Sequence, residues 1–291
     1  VADASLDDVF IDDIILPASD GYMLAATLFL PRGTKQAAVL INSATAVPRK
    51  IYRHFATYLA SRGCVVLTYD YRGIGGSRPE KLAGFQASMS DWAALDISSA
   101  VAWMRGRYKG MPLSVVGHSF GGQAVGLLPN NDMISRTLLV AAQAAYWAMM
   151  PLPENYRAYL MMKLIGRPVT RLLGYTPGKL GIGEDLPKGV FLQWTDWVMK
   201  KRYYYDDPHL TALANYAQHK APVRALSFTD DAWATRAMVE LLCTGFTATT
   251  PEVISITPKQ AGAARIGHFG FFRPELRDAL WQDSADWLLS K

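Results

Sequence analysis

Ser119 stands in Gly117-His118-Ser119-Phe120-Gly121-Gly122, a G-x-S-x-G pattern. The apolar run LSVVG at 113–117 leads into it and reads as a buried strand, with a helix expected after it. Small residues two positions either side of the serine admit a turn too sharp for larger ones. Such a turn presents the hydroxyl at a sheet edge and points the following N–H groups the same way. A serine hydroxyl is a poor nucleophile at neutral pH and needs a base. There are five histidines. His54 falls in a helical segment, and His118 lies inside the turn with its side chain directed away from the serine's. His209 and His219 fall in a long insertion. His268 follows the last strand in Gly267-His268-Phe269-Gly270, where flanking glycines let a short loop bring an imidazole close to another backbone. It is the candidate base. The base needs an orienting carboxylate, in chain order between serine and histidine. The apolar run VRALSF at 223–228 ends in Thr229-Asp230-Asp231, so Asp230 or Asp231 is the candidate acid. The other reads as an N-cap for the segment from Trp233 onward. Asp185, Asp196, Asp206 and Asp207 lack a strand end.

These groups need a frame to hold them. Two strands, Val9–Leu16 and Met23–Leu30, flank the turn signal Ala-Ser-Asp-Gly and read as an antiparallel hairpin. From residue 37 the pattern changes to short apolar runs alternating with helical segments. The runs are at 37–41, 64–69, 113–117, 137–141, 223–228 and 252–256. Their lack of polar alternation suits strands buried on both faces, as in a parallel sheet. Between them Ile51, Phe55 and Leu59 step by four, with Gly63 as a left-handed stop. Ala94, Ile97, Val101, Met104 and Tyr108 follow helix spacing, with Ser90 as N-cap. Pro274 opens a last helix burying Leu276, Ala279, Leu280 and Trp287. Strand–helix–strand alternation implies an α/β fold with a mostly parallel sheet and helices on both faces.

One connection is too long for that scheme. Residues 148–221 separate the runs at 137–141 and 223–228, so the chain divides into a core at 1–147, an insertion at 148–221 and a core at 222–291. The insertion is rich in tyrosine, tryptophan and methionine. It suits a helical cap over the carboxyl edge of the sheet, with Trp194 and Trp197 among the side chains expected to face the serine.

The composition narrows the class. The chain of 291 residues is 50% hydrophobic and 19% charged, which excludes intrinsic disorder. A net charge of +5 at this length forces no nucleic-acid reading, and Lys200-Lys201-Arg202 reads as a solvated face. Cys64 and Cys243, the two cysteines, are too few for a disulfide framework or a four-ligand zinc site and read as small buried hydrophobes. No metal or cofactor is expected. The longest uncharged stretch, 137–153, is too short to span a bilayer. The start carries Asp3, Asp7, Asp8, Asp12 and Asp13 in place of a basic, apolar signal sequence, and a cytoplasmic, reducing setting is expected.

With the serine turn and Gly267-His268, a third motif completes a resemblance. Asp70-Tyr71-Arg72-Gly73-Ile74-Gly75-Gly76-Ser77 matches D-x-R-G-x-G-x-S. Over nearly all of the core the chain resembles an α/β-hydrolase, and within that family a branch of predicted bacterial serine hydrolases with a serine-aminopeptidase-like core. The resemblance implies an eight-stranded, mostly parallel sheet. It implies that the glycine-rich segment 70–77 is a structural turn. Laid onto Phe228-Thr229-Asp230-Asp231, the family's G-x-x-D pattern picks Asp231 as the acid. The family often carries His-Gly after its third strand, and the next residue donates an oxyanion N–H. Here the loop reads Asn42-Ser43-Ala44-Thr45, which makes Ala44 the donor, or Thr45 if the loop shifts by one, with the Phe120 amide as the second. The expected activity is hydrolysis of a carboxylic ester by Ser119, His268 and Asp231 through an acyl-enzyme, on a small acyl substrate with an apolar part. The rivals are acyl transfer by the same triad and a non-catalytic binding protein on this fold. Oligomeric state is left open.

Overall fold

The computed structural model describes residues 9–290. The aspartates at 3, 7 and 8 lie outside them. The main sheet runs through β1 (Val9–Pro17), β2 (Met23–Pro31), β3 (Ala37–Asn42), β4 (Cys64–Tyr69), β5 (Leu113–His118) and β6 (Arg136–Val140). After a two-residue pair, β7 (Tyr175–Thr176) with β8 (Leu186–Pro187), it ends with β9 (Val223–Phe228) and β10 (Glu252–Ile256). The eight strands lie in the order β1-β2-β4-β3-β5-β6-β9-β10. β1 pairs antiparallel with β2 and β2 with β4, and every later pairing is parallel. This is the α/β architecture expected from the strand pattern.

Every residue of β3, β4 and β5 is buried, because helices cover both faces of the sheet's centre. β10 has the same apolar look but stands at the edge, and four of its five residues are only half-buried. The helix Arg53–Ser61 packs Phe55, Ala56, Leu59 and Ala60 inward and stops before Gly63, whose φ is +87°. Ile51 precedes that helix in a 3₁₀ turn and is exposed, not part of its apolar stripe.

The next helical run differs from expectation at its start. Ser88, not Ser90, caps it: Ser88 and Asp91 form a reciprocal capping box. A π-helical turn over Trp92–Ile97 then shifts the phase. Trp92 and Ala93 turn inward and Ala94 turns out, while Ile97, Val101 and Met104 stay buried. Pro274 opens a 3₁₀ turn ahead of the helix Arg277–Leu289, which buries Leu280, Trp281, Ser284, Ala285 and Leu288. Leu276 and Leu280 are buried as expected; Ala279 faces water and Trp287 is half-buried. Cys64 and Cys243 are buried free thiols whose pKa burial pushes up to about 12, too high for thiolate chemistry.

Between β6 and β9 the chain makes a helical excursion that touches loops at the carboxyl ends of three strands. The Glu184 amide donates to the Ala46 carbonyl beyond β3 (3.0 Å), and the Gly75 amide beyond β4 donates to Glu184 (2.8 Å). Beyond β9 the Trp233 indole donates to Glu154 (2.8 Å).

Candidate active site

β5 delivers Ser119 at φ +51°, ψ −118°, a strained conformation for a residue with a Cβ, and the helix Phe120–Gln123 starts at once. The turn closes only because its glycines lack side chains. A Cβ on Gly117 would lie 2.3 Å from the Gly122 Cα, and one on Gly121 would lie 2.4 Å from the Asn42 carbonyl. The Ser119 amide donates to the Val140 carbonyl of β6 (3.0 Å). The Phe120 amide opens the helix and so has no intrahelical acceptor.

His268 Nδ1 lies 2.7 Å from Asp231 Oδ2, with the Asp231 side chain almost wholly buried. A carboxylate oxygen only accepts, so Nδ1 carries the hydrogen, and in the neutral ring Nε2 keeps its lone pair. The second oxygen, Asp231 Oδ1, accepts the amides of Trp233 (2.8 Å) and Ala234 (3.2 Å). Asp231 therefore orders its own loop while it holds the imidazole. Asp230 is not the N-cap expected of the second aspartate. Its two oxygens accept the amides of Ile266 (2.9 Å) and Gly267 (3.0 Å), clamping the loop that carries His268. The helix that follows begins only at Arg236, with Thr235 before it. Among the described residues no hydrogen bond joins His268 to the Ser119 hydroxyl; such contacts often tighten only when substrate binds.

The two residues are nevertheless tied through His118. His118 Nε2 lies 2.8 Å from the His268 carbonyl, and Nδ1 lies 2.9 Å from the Tyr52 hydroxyl. A carbonyl cannot donate, so Nε2 carries the hydrogen and Nδ1 accepts from Tyr52. The Tyr52 oxygen in turn accepts the Ala44 amide (2.8 Å). One chain of bonds thus links the loop after β3, the serine turn and the histidine loop, with a single possible direction at each step. It also corrects the oxyanion expectation. The one hydrogen on the Ala44 amide is taken up by Tyr52, so Ala44 cannot donate to a substrate. Thr45, the one-residue shift, is half-buried, and its amide has no acceptor among the described residues. Neither Tyr52 nor the second role of Asp230 carries a sequence signal.

Burial, then the nearby His268, holds the pKa of His118 well below 6.5, and burial lowers that of His219. His118 stays neutral in the folded protein, and His219 takes up its proton at a lower pH than in the unfolded chain, which takes up protons near pH 6.5. The unfolded state binds more protons below that point, so folding stability is full above pH 6.5 and falls as the pH drops. Each ring contributes a slope of at most about 1.4 kcal/mol per pH unit. In urea unfolding between pH 5 and 6.5, His118→Asn is expected to give a flatter pH dependence than wild type. An unchanged slope would mean that His118 is charged when buried.

The 70–77 segment is held by bonds within the protein. Asp70 accepts the Arg49 amide (2.6 Å) and the Gly76 amide (2.9 Å) and pairs with the Arg49 guanidinium. Gly75 has φ +49°, and a Cβ there would lie 2.5 Å from Asp70 Oδ2. No cluster of three or more His, Cys, Asp or Glu side chains suited to a metal ion occurs among the described residues.

A family model described as serine aminopeptidase, S33, matches residues 33–258. The chain belongs to this family of α/β-hydrolases. As an S33 member it is a hydrolase by family, and solved structures share its fold. The esterase Pf2001 of Pyrococcus furiosus aligns at 14% identity and a TM-score of 0.62, covering 98% of this chain and 91% of that one. An esterase from Exiguobacterium antarcticum aligns at 13% identity and 0.60, covering 96% and 100%. Brefeldin A esterase, described as a bacterial homologue of human hormone-sensitive lipase, aligns at 14% and 0.59, covering 97% and 77%. No curated protein matches the chain in sequence.

In the segment 148–221 the aromatic side chains divide. Trp197, Tyr203, Tyr204 and Tyr216 are buried in ring contact, the hydroxyls of Tyr204 (3.1 Å) and Tyr216 (2.9 Å) reach the Gln123 carbonyl on the helix after Ser119, and the Trp197 indole donates to Asp207 (2.7 Å). Trp197 is therefore wholly buried against Tyr203 and Tyr204 and, contrary to expectation, lines no open wall beside the serine. Trp194 is half-buried and lies 6.3 Å, ring to ring, from Trp233, two residues after Asp231.

Proposed function

We propose that this S33 hydrolase cleaves a carboxylic ester through an acyl-enzyme on Ser119. The observation that carries the reading is the His268–Asp231 pair at 2.7 Å, on a loop whose backbone bonds to the residue before Ser119. In the reaction, His268 Nε2 takes the Ser119 proton as Oγ adds to the ester carbonyl. The oxyanion receives the amides of Phe120 and Thr45. Collapse of the tetrahedral adduct breaks the bond to the alkoxy group, which leaves with the proton held on Nε2. Water, deprotonated by the same nitrogen, then adds to the acyl-enzyme and releases the acid, returning the proton to Ser119. Asp231 fixes the tautomer and stabilises the imidazolium throughout.

Residues 148–221 act as a cap in this reading, and Trp194 supplies an apolar wall beside the Asp231 loop. The protein is expected to hydrolyse p-nitrophenyl esters, with an optimum somewhere in a series graded by acyl length. Trp194→Ala is expected to move that optimum, changing kcat/KM for the best ester by about tenfold, the worth of a methylene or two in an apolar pocket. The unfolding midpoint should stay near wild type. Failure to turn over any ester in the series would overturn the ester reading; an unmoved optimum would remove Trp194 from the acyl site.

A further inference from the structure

The three consecutive segments Glu154–Tyr159, Leu160–Gly166 and Arg167–Leu173 form one helical run, π-helical in the middle. Its buried residues are Ala158, Met162, Gly166 and Thr170, four apart. At 3.6 residues per turn that spacing drifts by about 40° each step. The wider π turn takes up the drift and keeps all four on one side. Two positions off this seam, on the opposite side, stand Tyr156, Leu160, Leu164, Pro168 and Leu172. They are not sheltered: Tyr156 is 65% exposed, Leu160 47%, Leu164 56% and Leu172 85%. A stripe of this length on an outer helix marks a surface that meets something apolar.

The charges say what. The run carries Arg157, Lys163, Arg167 and Arg171 against a single acid, Glu154. Arg167 pairs with Asp196 and Arg157 loosely with Glu154 (3.6 Å). Lys163 and Arg171 are exposed and make no ion pair among the described residues. Both lie along the same flank of the stripe, eight residues apart. A second copy docking antiparallel by a two-fold axis across the helix would set this flank against its own image, Lys163 and Arg171 facing like charges. An anionic lipid surface instead accepts the apolar stripe and the basic flank together.

We propose that this helix docks the protein, outer face down, on an anionic lipid bilayer. Among the described residues no helix is long and apolar enough to cross one, so the attachment is peripheral. If the ester reading holds, the cap then rests on the phase that dissolves an apolar substrate; the docking itself does not depend on that reading.

Co-sedimentation with vesicles tests it, using Ser119→Ala so that no lipid is consumed. Vesicles of phosphatidylcholine with about one-third phosphatidylglycerol are expected to bind the protein, and phosphatidylcholine alone to bind it far less. Leu164→Ser with Leu172→Ser, and separately Lys163→Glu with Arg171→Glu, should each lower binding to the anionic vesicles at least about tenfold. In the otherwise wild-type enzyme, neither pair should change turnover of a water-soluble ester, which also shows that the variants fold. No binding to anionic vesicles, or binding indifferent to both pairs, overturns the proposal. So does a dimer in solution that Leu164→Ser with Leu172→Ser dissociates, since a second copy then covers the stripe. Vesicle binding without any esterase activity leaves the surface standing and removes only the ester reading.

Discussion

Ser119→Ala is expected to lower kcat by about 10³-fold to 10⁶-fold while the protein keeps its fold. The two halves of that expectation have separate causes. The hydroxyl is the proposed attacking atom, and no other group in the turn can replace it. It also anchors nothing: the bonds that hold the turn come from the Ser119 backbone, whose amide donates to Val140 and whose carbonyl accepts the amides of Gly122 and Gln123. Alanine keeps those bonds and meets the same strain at φ +51°. The unfolding midpoint in urea should therefore move by no more than a surface substitution moves it. A fluorophosphonate should label wild type at Ser119 and leave the alanine variant unmarked. Ser43, in the loop after β3, is still more deeply buried than Ser119, at 1% against 8% exposed. Labelling at another serine, or an alanine variant with a tenth of wild-type activity, would sink the assignment.

What could be read from the chain follows from how local each feature is. The six later strands of the main sheet are legible because a short apolar run without polar alternation announces itself in its own few residues, as CVVLTY and VRALSF do, and the first two because a turn signal lies between them. The order of the strands is set by pairings between distant segments and is not carried by any one of them. The serine turn was legible for a steric reason: Gly117, Gly121 and Gly122 sit where any Cβ would collide. Features that depend on distant partners were not legible. The Ala44 amide looks free in sequence and is taken by Tyr52, whose hydroxyl reaches it across a loop. Ser90 had the right chemistry for a cap, but Ser88 finds Asp91 at the right spacing, and Ser90 bonds Gln193 of the insertion instead. Trp197 is expected to face the serine because its segment is apolar; only the packing partners Tyr203 and Tyr204 show that it is wholly buried among aromatic rings. The outward stripe on 154–173 was missed for a related reason. A spacing of four sustained from Tyr156 to Leu172 drifts off one face of an ideal α-helix, and only the π turn holds it together.

The two adjacent aspartates give the second large effect, because one substitution does different things at each. In Asp231→Asn, the amide oxygen still accepts from Trp233 and Ala234, so the loop keeps its shape. The amide nitrogen then faces His268 Nδ1, a donor against a donor. The ring escapes by moving its hydrogen to Nε2, which is the nitrogen that must take the serine proton. The enzyme is left folded with the wrong tautomer, and kcat is expected to fall about 10⁴-fold. Asp230 meets two amides with two oxygens, and asparagine has one oxygen to offer. Asp230→Asn loses one charge-assisted bond and turns an N–H toward the other amide, which costs about 1–3 kcal/mol of stability. The loop carrying His268 loosens, but Nδ1 still meets a carboxylate, so kcat should fall by no more than about 100-fold. The signatures are therefore opposite: Asp231→Asn falls in kcat with a near-native urea midpoint, whereas Asp230→Asn falls in midpoint with activity largely kept. Reversed signatures would make Asp230 the partner of His268 in the working enzyme and Asp231 the clamp. The loop would then have to slip by one residue, because each carboxylate is already fully engaged where it stands.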